Sequence, residues 1–85
     1  MKLVKIIWED SVGNNGGWMN RAHAEDMCPH IHTSIGYVIR DEPEEKFITI
    51  AATLGNAGAD GPGEYLDGVV CIPRSAILDT EVISG

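Results

Sequence analysis

The stretch YLDGVVCIPRSAILDTEVI, Tyr65 to Ile83, decides the fold. Val69, Val70, Cys71 and Ile72 form a short apolar run suited to a strand buried on both faces. Pro73, Arg74 and Ser75 interrupt it before apolar character resumes at Ile77. Proline locks its own φ and donates no hydrogen bond, so strand pairing must break at Pro73. Ser75-Ala76-Ile77 then predicts a single 3₁₀ turn that redirects the chain into a last strand. A strand, one 3₁₀ turn and a final strand are how small SH3-like barrels close.

Outward from that stretch, the remaining segments read as partners for it. Lys2 to Trp8 alternates loosely, with Val4, Ile6 and Trp8 on one face, and predicts the first strand. Glu9 to Gly17 is dominated by turn formers and predicts a loop that ends at Trp18. Asn20 is placed to cap a short helix through Met27, which Pro29 terminates. Ile31 to Arg40 predicts the second strand, Asp41 to Glu45 an acidic turn, and Phe47 to Thr53 the returning strand of an antiparallel hairpin. Leu54 to Glu64, with GNAGADGPG inside it, is too polar and glycine-rich for a regular element and predicts a second long loop. The expected fold is mainly β: a small SH3-like antiparallel barrel or strongly bent sheet of about five strands with one short inserted helix. Residues 1–85 form a single domain, and its open sheet edges favour a homo-oligomer.

Composition excludes several function classes. A net charge of −7 opposes generic binding to phosphate backbones and anionic bilayers, so neither direct nucleic-acid binding nor a membrane partner is expected. No apolar run reaches the length of a membrane span, and MKLVKIIWED is too short and interrupted for a signal peptide, so the expected setting is cytoplasmic. Two cysteines, Cys28 and Cys71, make no disulfide framework and read as small buried hydrophobes.

Several pieces together, Trp8-Glu9-Asp10-Ser11, Gly17-Trp18, Ser34-Ile35-Gly36-Tyr37-Val38 and Ile72-Pro73-Arg74-Ser75-Ala76-Ile77, resemble small accessory proteins of tailed bacteriophages and prophages. The resemblance covers most of the chain and carries no catalytic residues. It implies a gene product acting in the cytoplasm of an infected bacterium, where many small phage proteins bind or sequester a host component. The glycine-rich loop around Gly58 is expanded relative to that pattern.

The candidate ligand site combines Asn15, Gly16, Gly17, Trp18 and Arg21 with Gly58, Asp60, Gly61 and Arg74. Successive amides in glycine-rich loops form concave nests for phosphate oxygens, an arginine supplies the cation, and an indole stacks on a flat ring. Neither loop matches a phosphate-binding or dinucleotide fingerprint. The function expected is non-enzymatic anti-defence binding of a host component, with a nucleotide-like signal as one concrete ligand. The alternative is an acidic interaction module, Asp41 to Glu45, docking on a basic host protein as a nucleic-acid mimic. A further alternative is a small metal-dependent enzyme, because Cys28, His30 and His32 would share one face of an extended segment. A closed zinc site needs a fourth ligand, and His23, Asp26 and Cys71 stand at no recognised spacing for it. No cofactor and no resident metal are therefore expected.

Overall fold

The computed structural model describes residues 1–13, 16–56 and 62–85. The elements follow the order β1 (Leu3–Asp10), α1 (Arg21–Asp26), β2 (His30–Arg40), β3 (Phe47–Asn56), β4 (Pro62–Pro73), a 3₁₀ turn (Arg74–Ala76) and β5 (Ile77–Ser84). All five strands belong to one antiparallel sheet in the order β4-β3-β2-β1-β5. Among the described residues no ladder joins β4 to β5, so the structure is a bent sheet and not a closed barrel.

The bend follows from the core. Strands sit about 4.8 Å apart, so in a flat sheet β1 would lie roughly 10 Å from β3 and about 14 Å from β4. Yet Val4 and Ile6 of β1 share one buried cluster with Ile48 and Ile50 of β3 and Ile72 of β4, and Trp8, Val38, Val70 and Ile77 pack around it. Only a sheet folded over on itself brings these side chains together. Each such aliphatic side chain contributes about 1.5–3 kcal/mol on full burial.

Gly36 is where β2 changes partners: β1 pairs with it through Tyr37, and β3 takes over from Tyr37 onward. A Cβ at Gly36 would lie 2.9 Å from the Ala51 carbonyl oxygen and 3.1 Å from the Ile50 Cβ. The missing side chain thus lets β3 cross close to β2 at the fold line.

The 3₁₀ turn starts at Arg74, one residue before the expected position. The Arg74 amide donates to the Lys46 carbonyl oxygen at 2.8 Å, tying this turn to the start of β3.

The sequence misleads at three places. The segment 54–64 is not all loop: β3 runs to Asn56 and β4 begins at Pro62, with Leu54 opposite Leu66 and Gly55 opposite Tyr65. Glycine disfavours a strand but does not prevent one where a neighbouring backbone comes close; a Cβ at Gly55 would lie 3.0 Å from the Tyr65 carbonyl oxygen. Second, β4 is an edge strand buried on one face only: Ile72 is buried, whereas Val69 and Cys71 are exposed. Third, both cysteines are exposed thiols, because Cys71 sits on the outer face of that edge and Cys28 between α1 and β2.

The long β3–β4 ribbon passes beyond Ala51, the last β3 residue paired with β2, and stretches the molecule to 55 × 25 × 23 Å. Its radius of gyration is 16.5 Å, against about 12 Å for a compact domain of this length.

Candidate functional site

Polar chemistry gathers at three places. The first is the end of the β1–β2 ladder, where Trp8 stands opposite His32 and Asp10 opposite His30. The Trp8 indole nitrogen donates to the Ser34 hydroxyl at 3.0 Å, and its ring lies 5.0 Å from that of His32. His32 Nε2 sits 3.4 Å from an Asp10 carboxylate oxygen, and the His30 ring meets His32 edge-on at 6.2 Å. The arrangement extends the core outward as a polar rim. The Ser34 hydroxyl oxygen on this rim accepts the Trp8 indole N–H. Among the described residues no three histidine, cysteine, aspartate or glutamate side chains converge as a metal site. Cys28 instead lines a small open cleft of about 170 Å³ with Ser11, Val12, Met27 and Pro29.

The second place joins two elements that the sequence sets up as rivals. The Arg74 guanidinium donates through Nε to the Glu45 carbonyl oxygen at 2.8 Å, and through a terminal nitrogen to the Asp41 carboxylate at 2.7 Å and the Glu42 carbonyl oxygen at 2.9 Å. Arg40 pairs with Glu45 and lies 3.5 Å from Glu42. The acidic turn and the proposed anion-binding arginine are therefore one neutralising cluster. Arg74 acts as a strut holding the β2–β3 turn against the 3₁₀ turn.

The third place is the loop before α1. Gly16 and Gly17 adopt φ of +95° and +81°, a region that favours glycine. Trp18 follows with its side chain fully exposed. Asn20 caps the helix as the sequence indicates, its Oδ1 accepting from the Ala22 amide at 2.8 Å. Every residue of α1 is exposed, Arg21 included.

The candidate site is thus brought together only in part. Gly16, Gly17, Trp18 and Arg21 are contiguous on one exposed loop and helix start, while Arg74 is held elsewhere by the acidic turn. Asn15, Gly58, Asp60 and Gly61 lie outside the described residues. Sequence reasoning missed the Asp10–His32 and Trp8–Ser34 pairs. Their signal is the β1–β2 register, which periodicity alone does not specify.

No protein family, curated protein or solved structure matches the chain. Among the described residues, no helix is long and apolar enough to cross a membrane.

Proposed function

We propose that this protein is a non-enzymatic binding protein that captures a flat, anionic host ligand, such as a nucleotide-type defence signal, on the Trp18 loop. The observation that carries this reading is the complete exposure of Trp18, between two left-handed glycines and Arg21. An indole offers about 200 Å² of rigid apolar surface, which in a stable chain is normally covered. A ring stacked on Trp18, with its phosphate facing Arg21 and the Gly16 amide, draws on the indole, the cation and the backbone of one short segment. The resemblance to phage accessory proteins supports a ligand of the infected host and an anti-defence role. The acidic-module alternative is weakened, because Arg74 and Arg40 pair with three of the turn's four carboxylates, Asp41, Glu42 and Glu45.

Calorimetric titration with a panel of cyclic and linear nucleotides tests the proposal. Base stacking on an aromatic residue is worth about 1–3 kcal/mol, so Trp18→Ala should weaken binding roughly five- to a hundredfold. Loss of a charge-assisted hydrogen bond in Arg21→Ala should cost a similar amount. Binding that ignores both substitutions would remove the site, and no binding at millimolar nucleotide would remove the ligand class.

A further inference from the structure

Residues Gly16 to Pro29, between β1 and β2, are folded without being buried. Every one of them is exposed, Met19 and Met27 included, and α1 contributes no side chain to the core. The hydrogen bonds that hold α1 are local. The Ala22 amide donates to Asn20 Oδ1 at 2.8 Å, the Ala24 amide to the Asn20 carbonyl oxygen at 3.1 Å, and the Met27 amide to the Ala24 carbonyl oxygen at 3.2 Å. The first turn carries no acid and the last residues are Glu25 and Asp26, the reverse of what the helix dipole favours. The sheet below does not depend on the segment. Its β1–β2 ladder ends at the Asp10–His30 pair and is held by burial of Val4 and Ile6 and by the Trp8–Ser34 hydrogen bond.

An exposed helix of six residues obeys the statistics of a helical peptide. Nucleation costs a factor of about 10⁻³, six good helix formers return at most roughly twentyfold, and a cap multiplies that by about five. In the free chain, α1 is therefore formed in about one molecule in ten.

We propose that the segment from Gly16 to Pro29 is a switch that folds onto its ligand: open most of the time in the free chain, and closed into the arrangement seen here when an anionic ring compound is bound. This rests on the Trp18 reading and adds the step by which that site is made. Arg21 is the first helical residue, so its guanidinium keeps one position relative to the Trp18 indole only while Asn20 caps α1. Among the described residues Arg21 has no ion-pair partner, and contact with the ligand supplies what the segment itself lacks. A ligand that recognises only the folded segment has its affinity lowered by the folded fraction, here about tenfold. Affinity is thereby tunable at helix positions that touch no ligand.

Amide hydrogen exchange of the full chain, with adenosine monophosphate as the probe, tests this. In the free protein the Ala24 and Met27 amides should exchange within about threefold of an unstructured peptide. The Val38 amide, which donates to the Lys2 carbonyl oxygen, should be slower by about a thousandfold or more. Adenosine monophosphate at about 10 mM should slow Ala24 and Met27 by about tenfold or more. Ala24→Gly should lower the helix weight about fourfold and weaken calorimetric binding by the same factor, and Asn20→Ala should weaken it about fivefold. Both variants should leave the urea unfolding midpoint unaltered, since α1 buries nothing. Exchange of Ala24 and Met27 as slow as that of Val38 in the free chain would overturn the switch and leave the Trp18 site standing. An Ala24→Gly variant that binds as tightly as the wild type would do the same. Rapid exchange that adenosine monophosphate does not slow, with no heat of binding, would remove the site and the switch together.

Discussion

Replacing Arg74 with alanine removes the strut between the 3₁₀ turn and the acidic β2–β3 turn, and the structure allows the loss to be sized. The Nε bond to the Glu45 carbonyl oxygen is part-buried, and bonds to a charged donor are worth about 1.5–3 kcal/mol in such settings. The Asp41 pair has both side chains about one-third exposed, and the Glu42 bond is exposed, so each is discounted to about 0.5 kcal/mol. The expected loss is therefore about 2.5–4 kcal/mol, a large share of the roughly 4–13 kcal/mol available to a domain of this size. Urea unfolding followed by circular dichroism measures it, and the matching fall in Tm is about 10–25 °C. Arg74→Lys is the informative companion: an ammonium keeps the charge but cannot span three acceptors with a fixed fork, so it should recover less than half of the loss. Asp41→Asn should cost only about 0.5 kcal/mol, and that small loss should shrink in 0.5 M salt. Were Arg74→Ala to lie within 0.5 kcal/mol of the wild type, the strut assignment would be wrong and the guanidinium would again be available to a ligand.

Three further outcomes are expected. Gly36→Ala should destabilise by about 1–3 kcal/mol in the same unfolding assay, because the added Cβ would meet the Ala51 backbone at 2.9 Å; an unchanged midpoint would mean that β3 does not cross there. Lys5 titrates above the ordinary lysine value, first through its hydrogen bond to Glu81 and then through the charge of the same carboxylate. A group with a raised folded-state pKa stabilises fully below its unfolded pKa and loses that contribution as pH rises through the folded one. Unfolding midpoints of the wild type should therefore fall more steeply than those of Lys5→Gln above about pH 10, and parallel curves would refute the pairing. Both Cys28 and Cys71 should react with a thiol reagent in the native protein at rates close to those in urea; protection of either would contradict its exposure.

The sequence by itself determined the class of fold. The Pro73-Arg74-Ser75 break between two apolar runs, the alternation of Val4, Ile6 and Trp8, and the acidic turn before Phe47 each act over a few residues, where backbone geometry and period-two burial leave little choice. The cap at Asn20 was legible for the same reason, since its side chain bonds an amide two residues away. Extension of the ribbon through Leu54, Gly55, Tyr65 and Leu66 was not, because local propensity there points to loop and only cross-strand pairing overrules it. The candidate site divides along the same line. Trp18, Gly16, Gly17 and Arg21 are neighbours in sequence and could be grouped from it, whereas the capture of Arg74 by Asp41, Glu42 and Glu45 spans about thirty residues. The outward Ile31 and Ile35 likewise depended on which face of β2 met the core. Alternation states only that two faces differ; the register with β1, held by Ile6, Trp8 and Ser34, decided which of them met the core and left the apolar one outside.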